Sequence, residues 1–310
     1  MIIPIKVLFC LACVLSLFGC TTHLTAQLEP KRPQILVCEQ ATASVLLMDA
    51  DQDWALPEAV IWSWHPLKDP TLTDEQRGWF SNLTDAKPIR AGQKIVVCAS
   101  GGGAAIVDKQ TSRAVAVIYV GANPHSVEVL PDGRIIIASS HGDKLSLWDV
   151  NRGEIIQAVD LIDAHGVAWD TKRRCLWALG GKQLKRYHYD KGAGRLLEQS
   201  VIDLPVTQAS KQYPRHGGHD LTKVPGQDAY FVSDMDHLWR FDRYTKSFAP
   251  LPQRHAMKLV KSISQSGEDG PILVLQATDR WHASGPRLID DSKVWNMPGA
   301  RIYKARWWMP

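Results

Sequence analysis

Beyond Pro30 the apolar residues fall in short runs rich in Val, Ile, Leu and Trp, divided by Gly, Asp, Asn and Pro. Runs of this kind predict strands, because β-branched and aromatic side chains suit a pleated, half-buried surface while the dividing residues suit turns. No segment sustains the 3.6-residue period of an amphipathic helix. The runs also recur. His125, His165 and His219 each open a short alternating strand that ends in a turn. A strong apolar run follows each turn: Ile135-Ile136-Ile137-Ala138, Leu176-Trp177-Ala178-Leu179 and Tyr230-Phe231-Val232-Ser233. A third run comes next (Leu145 to Trp148, Leu184 to Tyr187, Leu238 to Phe241), and then a fourth. Two further units fit the same register, opened by Lys87 and Lys261. The five openers stand 38, 40, 54 and 42 residues apart, with an insertion around Thr207 to Arg215.

A period of about 40 residues with four strands per unit is the pattern of a β-propeller blade. Before Lys87 only three strand candidates remain, near Cys38, Met48 and Trp64, and the final run Arg301-Ile302-Tyr303-Lys304-Ala305-Arg306-Trp307 supplies the missing one. The expectation is therefore an all-β fold: a six-bladed β-propeller of four-stranded blades, closed by the C-terminal strand pairing with the N-terminal blade. Closure of this kind removes the open sheet edges that promote aggregation. It makes residues 34–310 a single domain.

Composition agrees. The chain has 310 residues, 45% hydrophobic and 22% charged, which excludes a disordered chain and a polytopic membrane protein. A net charge of +4 is too small to point to nucleic acid. The 12 Trp and 22 Gly find uses in such a fold. Trp148, Trp177 and Trp239 can fill the wedge between blades, and Gly serves the turns.

The first 19 residues carry one charge, Lys6, before an apolar run at 7–18 that is too short to span a bilayer, which is the layout of an export signal. Leu17-Phe18-Gly19-Cys20 resembles a bacterial lipobox. That resemblance implies a lipidated Cys20 at the mature N-terminus, residues 1–19 as signal peptide and 20–33 as tether. Thr21, rather than Asp, implies outer-membrane anchoring in the cell envelope. Cys38, Cys98 and Cys175 remain, an odd number in apolar runs, so buried thiols are expected rather than disulfides, zinc or a nucleophile.

Strand alternation puts the openers and the loops between second and third strands on one face. Lys87, His125, His165, His219 and Lys261 are thus expected around the channel mouth, with His141, Arg280 and Trp281 in the loops behind. Convergent cations favour a carboxylate, sulfate or phosphate; Arg280 can grip one bidentately, and Trp281 offers a face on which a sugar stacks. His165, His219 and Lys261 are the catalytic candidates. One near its operating pKa could remove the proton alpha to a uronate carboxylate while neighbouring cations stabilise the enediolate, which is β-elimination. Lys87, His125, His141, Arg280 and Trp281 are the ligand-binding candidates. His125, His165 and His219 are also candidate ligands for a divalent metal such as Zn or Mn. No serine elbow, Walker loop or dinucleotide fingerprint competes, since Gly101-Gly102-Gly103 lacks the GxGxxG spacing.

The ordered set Asn123-Pro124-His125-Ser126, Leu130-Pro131-Asp132-Gly133, Asp163-Ala164-His165-Gly166-Val167, Gly217-Gly218-His219-Asp220-Leu221, Val260-Lys261-Ser262-Ile263 and Arg301 to Trp307 resembles a family of secreted bacterial propellers catalogued as a domain of unknown function. The resemblance implies the fold and brings no reaction. More loosely, the His-rich site is similar to those of oligogalacturonate lyases and other propeller polysaccharide lyases, which implies a uronate ligand by analogy. Two function classes follow. One is a lipid-anchored enzyme or binder of acidic saccharide using the His/Lys ring. The other is a non-catalytic propeller that docks an envelope protein.

Overall fold

The computed structural model describes residues 32–310 apart from Tyr213, Pro214, His216 and Gln253; the expected signal peptide, Cys20 and nearly all of the expected tether lie outside the described residues. Six antiparallel sheets form the blades. Their innermost strands are Ile302–Trp307 in blade 1, Leu83–Ile89 in blade 2, Pro124–Val129 in blade 3, Ala164–Asp170 in blade 4, Asp220–Lys223 in blade 5 and Val260–Gln265 in blade 6. In blade 1 the chain's last strand pairs antiparallel with Gln34–Glu39, from Ile35 opposite Trp307 to Glu39 opposite Ile302. The ring closes as the strand count requires.

Five blades have four strands and the sixth has three. After Ile272–Gln276 the chain forms only the two-residue strand Arg287–Leu288, then turns back through Asp290-Asp291-Ser292, where the Leu288 N–H donates to the Lys293 carbonyl at 2.9 Å. The segment that would have formed a fourth strand instead buries Trp295, whose indole N–H donates to the Ala50 carbonyl at 2.9 Å. The chain spends these residues returning to the axis to build blade 1.

Apolar clusters lie between neighbouring blades. Trp148, Trp177 and Trp239 are buried in them, with Trp177 edge-on to Phe241 at 5.2 Å. Cys38, Cys98 and Cys175 are free and buried. Burial raises the Cys98 thiol to about 12, which keeps it protonated and inert.

Inner strands of adjacent blades do not share a ladder, so side chains satisfy their backbone groups. The Ser262 hydroxyl donates to the Ala305 carbonyl and accepts from the Ala305 N–H, both at 2.9 Å. Asp220 accepts from the Ile263 N–H at 3.0 Å, and the Ser126 hydroxyl accepts from the Val167 N–H at 3.3 Å.

Along the axis this layer is crossed by buried charges. Arg306 donates to Asp85 at 3.1 Å and to Asp220 at 2.7 Å, and the Lys304 ammonium reaches Asp220 at 3.1 Å. Burial alone would raise both carboxyls, but Arg306 and Lys304 overcome it, holding Asp220 at about 2 and Asp85 below the usual carboxylate range. These buried pairs join the inner strands of blades 1, 2 and 5.

Candidate functional site

Five of the six inner strands enter the sheet through a one-residue irregularity. Pairing skips a residue between Leu83 and Asp85, Pro124 and Ser126, Ala164 and Gly166, and Val260 and Ser262. In blade 1 the skip falls between Lys304 and Ile302. A β-bulge re-aims the extra side chain, and here those residues are Thr84, His125, His165, Lys261 and Tyr303. In blade 5, His219 immediately precedes its strand, its N–H bonded to the Ser233 carbonyl at 2.8 Å. Two residues before the extra residue, Asn82, Asn123, Asp163 and Leu259 have positive φ of 49° to 61°. Asn and Asp tolerate that conformation better than other side chains, which gives these entries a local sequence cause.

Five of the six residues at this register line a cavity of about 540 Å³ at the end of the ring where the inner strands begin: His125, His165, His219, Lys261 and Tyr303. His141, Arg280 and Trp281 join them from the loops, so seven of the eight expected catalytic and ligand-binding residues border one space. Trp281 is 57% exposed and Arg280 sits at a positive φ of 52° at the loop tip.

Lys87 is the correction. It lies three residues beyond the irregularity, deeper along the strand, where its ammonium donates to the Val167 carbonyl at 2.9 Å and pairs with Glu128 at 3.4 Å and Asp85 at 3.8 Å. Thr84 holds the register position and spends its hydroxyl on the Pro124 carbonyl at 2.7 Å. The offset arises because the similar Lys87 and Lys261 occupy different layers, a shift that a bulge conceals in sequence.

The cavity wall is continuous. The His125 and His165 rings stack at 4.4 Å and 8°, and Tyr303 lies over His125 at 5.5 Å and 20°. His219 stands edge-on to His165 at 5.3 Å, and the Lys261 ammonium donates to His219 Nε2 at 3.3 Å. The His165 Nδ1–H donates to the Asp163 carbonyl at 2.8 Å, which leaves its Nε2 lone pair without a hydrogen bond among the described residues. Nδ1 of His219 is buried without a partner there.

Burial, then neighbouring cations, keeps the imidazoles neutral. His165 falls to about 4 although Asp163 works in the opposite direction, and His125 and His219 fall well below the ordinary histidine value. Burial and the nearby Lys304 lower Lys261 to about 8.

The three imidazoles do not fit a shared metal ion. Parallel stacked rings aim their in-plane lone pairs side by side rather than at one point, and both His125 nitrogens are occupied, by Asn123 and Tyr303. Among the described residues, the group with ligand atoms within 4.8 Å of one another is Asp234, Asp236 and His237. Asp234 there already accepts from the N–H groups of Asp236, His237 and Trp239, as a turn-holding carboxylate does.

Tyr303 and Asn123 are the site residues that sequence reasoning missed. Tyr303 stood in plain view in the closing run, and laying that run on the repeat register would have placed it opposite the histidines.

A family profile described as "Family of unknown function (DUF6528)" matches residues 22–310. No curated protein matches the chain. Among similar solved structures, a protein of unknown function from Bacteroides caccae is 11% identical with a TM-score of 0.59, covering 90% of this chain and 100% of its own. Kuenenia stuttgartiensis hydrazine synthase is 15% identical with a TM-score of 0.52, over 76% of this chain and 68% of that one. Dihydro-heme d1 dehydrogenase NirN, in complex with DHE, is 13% identical with a TM-score of 0.51, over 89% of this chain and 55% of that one. Identities this low establish a common fold, not a common reaction.

Proposed function

Because the chain belongs to the Family of unknown function (DUF6528), whose membership supplies a fold and no reaction, we propose a function from the site itself: the cavity binds an acidic, uronate-containing saccharide and cleaves it by β-elimination. One observation carries the reading. Among the described residues, the buried cations Arg243, Lys304 and Arg306 form ion pairs with carboxylates, whereas the Lys261 ammonium hydrogen-bonds to the His219 imidazole, and the Asp163 carboxylate, which favours its charge, does not offset its burial. A buried charge whose surroundings do not offset its desolvation is costly, and a ligand carboxylate offsets it.

The other unspent groups suit a sugar. His165 Nε2 accepts, the exposed Trp281 offers a stacking face, and Arg280 at the rim adds a second cation. In the reaction, Lys261 and Arg280 neutralise the carboxylate and acidify the alpha C–H, and His165 Nε2 takes that proton. His219 holds the Lys261 ammonium. Docking of an envelope protein is the weaker reading, since blade joining is carried by Ser126, Ser262, Asp220 and Thr84 while the cavity residues bond mainly to one another. We place the protein in the bacterial cell envelope, anchored through a lipid on Cys20 to the outer membrane.

The test uses protein lacking residues 1–20, with and without EDTA, against a panel of uronate oligosaccharides. Thermal shift reads binding and ultraviolet absorbance reads the unsaturated product. Stabilisation that disappears in Lys261→Met, with product formation that disappears in His165→Ala, is expected. No response to any uronate sinks the saccharide reading.

A further inference from the structure

We propose that Tyr303, delivered by the ring-closing strand, is the proton donor to the departing sugar oxygen, with His125 as the residue that positions it; this rests on the lyase reading above. The argument is a count of hydrogens. The Asn123 amide donates one hydrogen to His125 Nε2 at 3.1 Å and the other to the Ser140 hydroxyl at 2.9 Å. A neutral imidazole that accepts at Nε2 carries its proton on Nδ1. That nitrogen lies 3.1 Å from the Tyr303 hydroxyl oxygen and donates to it. Tyr303 therefore has a lone pair engaged and a hydrogen to give, and among the described residues its hydroxyl has no acceptor. The group borders the cavity, and stacking across His165, His125 and Tyr303 fixes the plane of the ring. Burial raises the phenol's pKa, so it holds its hydrogen throughout the physiological range.

The step balances. His165 Nε2 removes the proton alpha to the carboxylate, and the C–H electron pair becomes the carbon–carbon double bond. The β C–O bond breaks with its pair on oxygen, which takes the Tyr303 hydrogen, and His125 Nδ1–H stabilises the phenolate. Once products leave, solvent carries the proton from His165 back to Tyr303.

The experiment compares two substrates, a uronate disaccharide and a 4-deoxy-4-fluoro-uronate glycoside whose fluoride leaves without a proton. Tyr303→Phe is expected to lower kcat on the disaccharide by about 10²- to 10⁴-fold, the usual range for general acid catalysis, with KM little changed. On the fluoride substrate it should lose less than about tenfold. His125→Phe, which keeps a stacking ring without nitrogens, should show the same dependence on the leaving group; a merely structural defect would lower both substrates alike. Equal loss on both substrates, or none, in a variant of an active enzyme overturns the role of Tyr303 alone. A wild-type protein that turns over neither substrate overturns the lyase reading together with it.

Discussion

Lys261 carries a stability cost that the proposed carboxylate ligand would offset. Its depression from 10.5 to about 8 represents roughly 3 kcal/mol of disfavoured charge. Between those values the unfolded chain binds more protons than the folded one, so this group's contribution to stability improves as pH rises from about 8 to 10.5. Below about 8 the penalty is complete. Lys261→Met should therefore stabilise the free protein by about 1–3 kcal/mol at pH 7 while abolishing binding of an acidic ligand. Denaturant titration should show the advantage shrinking as pH climbs through that window. The same protonation predicts that wild-type affinity for a carboxylate ligand falls as pH rises past about 8, measurable by calorimetry; an affinity flat from pH 7 to 9.5 would remove Lys261 from the anion site.

Among the elements, the closing strand Ile302–Trp307 has the most tasks. It pairs with Gln34–Glu39, sends Tyr303 into the cavity, and places Lys304 and Arg306 in the axial charge cluster. Arg306→Met leaves Asp85 and Asp220 short of their principal partner, and breaking a buried pair of this kind costs about 3–5 kcal/mol. A fall of that size in unfolding free energy is expected, against less than about 1 kcal/mol for Arg152→Met, whose pair with Glu154 is largely exposed. Deleting residues 301–310 should prevent formation of soluble protein, because it frees a sheet edge as well as these charges.

At the scale of the whole molecule, the neutral imidazoles make the ring sensitive to acid. His165 binds its proton near 4 when folded and near 6.5 when unfolded, and His125 and His219 are displaced in the same direction. The unfolded state then binds more protons, so stability falls as pH drops from about 6.5 toward 4. His165→Gln should flatten that fall by up to about 3 kcal/mol at pH 4, measured as the difference in denaturant midpoint between variant and wild type.

Most of the architecture was legible in the chain. Alternation, turn residues and a period of about 40 declare strands and blades, because each blade must solve the same local problem of burying two faces. The closing strand was legible by subtraction, since blade 1 lacked one. Three features were decided only by tertiary structure. Lys87 and Lys261 look equivalent in a repeat alignment, yet a bulge sets them in different layers. Tyr303 belongs to the last strand but stands in a ring with residues from blades 3 to 6. The Lys261 ammonium hydrogen-bonds to an imidazole while Lys304 and Arg306 pair with carboxylates, and pairing across an axis depends on which strands meet there. Sequence by itself determined periodic, local things; the convergence of six distant segments on one cavity, and the buried ammonium within it, came from closure of the ring.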